Sequence, residues 1–228
     1  MSTPLVLLAA SGLAREVLAT LELQDDLEVR GVLDDAPNLQ RSEVGGRPVL
    51  GTLDDVRGHD DARLLVCAGS GRSRSAIVER LSRLGVGADR YATVVHPSVV
   101  VGTGCQIGAG SILLPNTVLT RDATLGRHVV VMPNVTVTHD DQVGDFATLC
   151  AGVSLGGGVR IGEAAYLGMN SSVREHTLVG DGAVLGMGAV LLRDLPPGET
   201  WLGVPAGPSL RRAGSSLAGL STDCGSVA

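Results

Sequence analysis

The residues best suited to chemistry are Thr138-His139-Asp140-Asp141, a polar patch inside an otherwise aliphatic repeat. Imidazole is the side chain that takes up and releases protons near neutrality, so His139 suits general base work. A neighbouring carboxylate can hold such a ring in one tautomer and stabilise its charged form. Two carboxylates, Asp140 and Asp141, follow directly. The bland alternative is a solvated His-Asp turn on a surface.

The frame around this patch is a repeat of six. From Val95 to Leu191 every sixth residue is aliphatic, seventeen in succession, among them Leu113, Leu125, Val137, Leu155 and Leu167. Two residues earlier the chain carries a small or β-branched residue, as at Thr93, Ser111, Ala123, Ala147 and Ala183; Asp141 alone breaks that rule. A lapse in a strict pattern is a place to look for function. A period of six fits neither a helix nor a long strand, so each repeat must contain a turn. Short strands wound into a parallel β-helix meet that demand, each coil burying its aliphatic residues against its neighbours. Glycines directly after the aliphatic residue, such as Gly102, Gly126, Gly144 and Gly162, are expected to supply the turn geometry.

This pattern resembles the hexapeptide-repeat acyltransferases, and the resemblance implies a left-handed β-helix with three hexapeptides per coil and a homotrimer. Upstream, apolar runs at Pro4–Ala10, Glu28–Leu33 and Arg63–Ala68 read as buried strands. They alternate with helical spacing at 13–23 and 72–84, which predicts a Rossmann-like parallel α/β sheet. The expected organisation is an α/β domain over 1–90, a β-helix over 91–210 and a disordered tail over 211–228. An α/β start joined through His96-Pro97-Ser98 to a coil ending in Gly203-Val204-Pro205-Ala206 is similar to the sugar acyltransferases. These include sialic acid O-acetyltransferases and the acetyltransferases of UDP-amino-sugar pathways.

The resemblance implies direct acyl transfer from acetyl-CoA, as co-substrate, to an amine or hydroxyl of a sugar or nucleotide sugar. His139 would be the base and Asp140 its orienting partner. Gly157 would contact the thioester carbonyl, with Gly152 and Gly168 in the acyl-CoA groove. Thr148 stands where some relatives carry a second histidine, and Arg193 is placed to meet CoA phosphates. In the α/β domain Ser11, Gly12, Asp34, Asp35, Gly69 and Arg74 are available to an acceptor at the strand ends, the usual ligand position in such sheets. The loop reads Ser11-Gly12-Leu13-Ala14, without the His-Gly step of relatives that bind UDP-sugars. A secondary metabolite or amino acid as acceptor, and a silent β-helix serving as an assembly module, are the alternatives.

Composition narrows the classes. Net charge is −6 with no basic block, so nucleic acid is not the expected partner. The four cysteines, Cys67, Cys105, Cys150 and Cys224, form no CxxC, and the nearest histidines in the coil, His128 and His139, are too far apart for a metal pair. No metal is expected. No run approaches a membrane span, and a cytoplasmic protein is the expectation. Aromatic residues are only 2% of the chain, which suits a narrow lumen filled by Val, Ile, Leu and Ala.

Overall fold

The computed structural model describes residues 2–209; the expected tail over 211–228 lies outside the described residues. Seven regular elements open the chain: β1 (Thr3–Leu8), α1 (Gly12–Leu21), β2 (Leu27–Leu33), β3 (Glu43–Val44), β4 (Arg47–Gly51), β5 (Arg63–Val66) and α2 (Gly71–Arg83). The sheet order is β3-β4-β2-β1-β5, parallel apart from the β3–β4 hairpin. β1 lies between β2 and β5, so its residues Leu5–Leu8 are buried on both faces. Between β4 and β5 a 3-10 helix runs from Leu53 to His59.

From Val94 onward two-residue strands pair in parallel at an offset of eighteen, as in Val118 with Thr136 and Val130 with Thr148. Three hexapeptides therefore make one coil, and the coils stack into a three-faced prism. Face 1 carries Val100–Val101 through Val190–Leu191. Face 2 carries Gln106–Ile107 through Leu178–Val179. Face 3 carries Val94–Val95 through Thr200–Leu202. From Leu113 onward the aliphatic residue of each repeat points into one continuous core, with the small residue beside it at the corner; in the first coil Val95 and Ile107 are partly buried and Val101 is exposed. At the far end Trp201, Leu195 and Ala206 close the lumen. Arg193 lies over the Trp201 ring at 4.9 Å.

The turn geometry differs from the expectation. The left-handed residue occurs once per hexapeptide, every sixth position from Gly104 to Gly188, and includes Asn116, Asp122, Asn134, Asp140 and Asn170. Short polar side chains tolerate this conformation and glycine has no penalty in it. The glycines directly after the aliphatic residue serve another purpose. A Cβ on Gly102 would come within 1.7 Å of the Thr120 carbonyl, and one on Gly144 within 2.8 Å of Glu163 N. They are glycine because the next coil passes too close for a side chain.

The α/β domain sits on face 3 and on the corner between faces 2 and 3. Leu13, Val17 and Leu21 of α1 share a core with Ile112, Leu114 and Val130 of face 3. Gly71 lets the start of α2 touch the coil, since a Cβ there would lie 2.2 Å from the Phe146 carbonyl. The centre of this junction is Arg74, which is fully buried. Its guanidinium donates to the carbonyls of Ala68, Gly69, His128, Phe146 and Ala147 and to Thr148 Oγ1, at 2.7–3.0 Å. Burial lowers its pKa to about 10, which leaves it cationic at neutral pH. The expectations for Arg74 and Thr148 are thereby corrected. Both are buried, and Thr148 Oγ1 donates in turn to the Gly69 carbonyl, so the pair ties domain to coil.

His128 lies beside this cluster, stacked on Phe146 at 5.2 Å and edge-on to Tyr91 at 4.6 Å. Burial first, then the Arg74 charge, lowers its pKa to about 4. Among the described residues no helix is long and apolar enough to cross a membrane, and no group of three His, Cys, Asp or Glu could hold a metal.

Two outcomes are expected. Arg74→Ala strands several buried carbonyls and should cost about 3–5 kcal/mol in chemical denaturation; a loss under about 1 kcal/mol would contradict the latch. His128 is neutral when folded and titrates near 6.5 when unfolded. Its contribution is therefore intact above pH 6.5 and is lost as pH falls towards 4, by about 3 kcal/mol. His128→Asn, which suits the left-handed corner, should flatten that part of the acid limb in parallel melts.

Candidate functional site

His139 sits on the corner between faces 1 and 2, where residues eighteen apart stand one above another. Arg121, His139, Gly157 and Glu175 form one column; Asp122, Asp140, Gly158 and His176 form the next. Asp140 has φ of 64° because the coil requires a left-handed residue there, and an aspartate tolerates it. That backbone turn brings its carboxylate back to the ring: Asp140 Oδ2 lies 2.8 Å from His139 Nδ1. Donation from Nδ1–H to the carboxylate leaves Nε2 unprotonated and free to accept. Both side chains are largely exposed, 63% and 68%, so the pair serves to orient the ring more than to stabilise the fold.

Asp141, the lapse in the small-residue rule, faces the other way. It is fully buried, and its carboxylate accepts the N–H groups of Thr138 at 2.6 Å and Val159 at 2.8 Å. It ties the turn before His139 to the following coil, and burial raises its pKa despite those bonds. Asp141 thus holds the turn that presents His139, while Asp140 contacts the ring.

The three glycine candidates separate on geometry. Gly152 has φ of 74° and is one of the left-handed corner residues. Gly168 makes room for the next coil, since its Cβ would meet Met187 N at 2.6 Å. For both, the shape of the coil explains the glycine. Gly157 is different: the atoms nearest to its Cβ would be those of the His139 ring, at 2.4 Å from Cε1 and Nε2. At the equivalent position of the corner between faces 2 and 3, the N–H groups of Arg127 and Glu163 are capped by Asp145 and Asp181. The Gly157 N–H has no partner among the described residues, although Gly156 N–H and Gly158 N–H are both bonded. An imidazole acceptor and an unpaired N–H therefore share one small notch. A carbonyl that gains negative charge could accept from that N–H while the ring takes a proton.

Arg193 is committed to the cap over Trp201. At the strand ends of the α/β domain the structure gathers Ser11, Gly12, Asp34 and Gly69. Ser11 Oγ donates to the Cys67 carbonyl at 2.6 Å, and Asp34 accepts from Ala10 N–H and Ala36 N–H. Asp35 turns aside to Leu53 N–H and Arg80. A cleft of about 340 Å³ that sequence reasoning missed opens between Ser70, Gly71 and Arg72 and the face-3 residues Tyr166 and Thr200. Only the docking of α2 on the coil creates it, so no motif announces it.

A methyl on Gly157 should push the imidazole off the notch without harming the coil. Gly157→Ala is expected to keep stability within about 1 kcal/mol, because the clash is with a movable exposed ring. The His139 ring resonances in ¹H–¹³C NMR should shift; unchanged resonances would contradict the contact.

Comparison with known proteins agrees with this geometry. The family model described as the hexapeptide repeat of succinyl-transferase matches residues 158–193. Comparison with curated protein sequences finds no match. Among solved structures, the acetyltransferase domain of PglB from Neisseria gonorrhoeae FA1090 is 30% identical, with a TM-score of 0.79, over 91% of this chain and 100% of that one. PerB from Caulobacter crescentus, solved with CoA and GDP-perosamine, is 28% identical, with a TM-score of 0.82, over 90% and 97%. WeeI from Acinetobacter baumannii AYE is 27% identical, with a TM-score of 0.79, over 90% and 99%. With the fold and the length of the match in agreement, the chain belongs to the hexapeptide-repeat sugar acetyltransferases, enzymes built on a left-handed β-helix.

Proposed function

We propose that this acetyltransferase moves the acetyl group of acetyl-CoA directly onto the amine of a nucleotide-linked amino sugar. The observation that carries the reading is the notch at Gly157. His139 Nδ1 is engaged by Asp140, and the opposite edge of the ring lies where a Cβ on Gly157 would project, beside a residue whose backbone N–H has no partner among the described residues. In the reaction the acceptor amine attacks the thioester carbonyl and its proton passes to His139 Nε2. Asp140 holds the ring and stabilises the imidazolium. The Gly157 N–H receives the oxyanion of the tetrahedral intermediate. The relative solved with CoA and GDP-perosamine supports a nucleotide sugar as acceptor.

The position of His139 also supports a trimer. It lies on the corner opposite face 3, while the acceptor-binding strand ends of the same chain sit against face 3. The two halves of one chain's chemistry are on opposite sides of its prism. A neighbouring copy that packs corner to face brings the acceptor of one chain to the imidazole of the next. The proposed setting is the cytoplasm, where acyl-CoA thioesters are made.

The test is release of free thiol from acetyl-CoA with UDP-linked amino sugars, GDP-perosamine, sialic acid and simple amines. Turnover is expected with an amino nucleotide sugar. His139→Ala should reduce it by about 10²–10⁴-fold and Gly157→Ala by about 10²-fold. Turnover that survives His139→Ala would remove the proposed base. Saturable acetyl-CoA binding with no turnover would move the acceptor outside this panel, and no binding at all would leave an assembly module.

A further inference from the structure

The Gly157 notch has a second lip. One coil above it stands His176, exposed on the next turn of the same corner. The chain joins the three coils by single backbone bonds at this corner: Gly158 N–H donates to the His139 carbonyl, and His176 N–H donates to the Gly157 carbonyl, each at 2.9 Å. Both rings lean onto the middle coil. A Cβ on Gly157 would meet His139, and a Cβ on Gly158 would lie 2.6 Å from His176 Nδ1. Gly156-Gly157-Gly158 carries no side chains, and the two imidazoles lean on adjacent residues of that bare step, His139 on Gly157 from the coil below and His176 on Gly158 from the coil above. The His176 ring is exposed and has no hydrogen-bond partner among the described residues. The left-handed turn at His176, φ 56°, requires no histidine; the chain uses asparagine for it at Asn134 and Asn170.

Resting on the acyl-thioester reading above, we propose that His176 is the group that meets the sulfur of the acyl donor and protonates the departing thiolate. A thioester carbonyl in the notch has two other substituent directions. The attacking amine must approach from the side of His139, which takes its proton. The sulfur lies in the plane of the carbonyl, to one side of that line of attack, and in this proposal it is the substituent set against the His176 lip. As the C–N bond forms, the amine proton goes to His139 Nε2. As the C–S bond breaks, its electron pair stays on sulfur and a proton from the His176 imidazolium gives the free thiol. Solvent then restores the proton to His176 and removes the one on His139. The charged groups along this corner are Arg174 and Glu175 on the same turn, Arg193 and Asp194 one coil on, His139 and Asp140 two coils back, and Arg121 and Asp122 three coils back; Asp194 accepts from Leu178 N–H.

The test compares binding of CoA with binding of desulfo-CoA by calorimetry at neutral pH. The native protein is expected to prefer CoA by about tenfold, the worth of one hydrogen bond to the sulfur. His176→Asn, which keeps the left-handed corner, should bind desulfo-CoA as the native protein does and lose the preference for CoA. A preference that survives His176→Asn, or that is absent from the native protein, overturns the role of His176 and leaves the acetyltransferase reading standing. Failure of the native protein to bind either molecule overturns both.

Discussion

The parallel backbone ladder at an offset of eighteen residues positions every group of the candidate site. It fixes the spacing between coils, and that spacing decides which residues can occupy each corner. Where the next coil passes closest, only glycine fits, as at Gly102 and Gly144. Where the chain must turn left-handed, glycine, asparagine and aspartate recur. A site on such a corner gets its geometry from the ladder and not from a dedicated loop. His139 therefore needs only Asp140 and the Asp141 carboxylate behind its turn to be aimed, because the coils above and below are already in place.

The same ladder is what the α/β domain grips. Arg74 reaches three successive carbonyls or hydroxyls at 146–148 and the carbonyl of His128 one coil before. Such a donor recognises the coil by its backbone, so the junction tolerates change in the side chains around it. A guanidinium suits this task, since its five N–H groups diverge in a rigid fork while an ammonium offers a single point. Thr148 completes the grip by bonding the Gly69 carbonyl. The strand-end loop is thus registered to the prism through one buried cation.

Much of this was legible in the residues. The period of six fixed the prism, and the one charged residue at a small position, Asp141, marked the functional turn. The division of labour there was not legible: adjacency in sequence does not say which carboxylate turns inward and which returns to the ring. The role of the glycines was read in part. Sequence shows that they recur but not whether φ or close approach requires them, and the two causes fall on positions two residues apart. Arg74 misled because a cation after a strand-end Gly-Ser-Gly run looks like a ligand residue; its burial depends on contacts more than fifty residues away. The relation of His176 to His139 was not legible for a related reason, since it appears only when the columns of the coil are counted by eighteen.

For the proposed base, exposure on a corner carries a physical consequence. Hydrogen bonds and charges at an open surface are weakened by water, and an oxyanion on a single N–H would gain little there. The notch becomes effective when something excludes solvent from it. The acyl donor itself can cover one side, lying across the glycine step between the two imidazoles. The other side is open on the single chain, because its α/β domain occupies face 3, away from this corner. A second copy that lays its strand-end loops against the corner would both dry the notch and deliver the acceptor. Assembly and catalysis then depend on the same contact, so an isolated subunit would bind the thioester without transferring its acyl group.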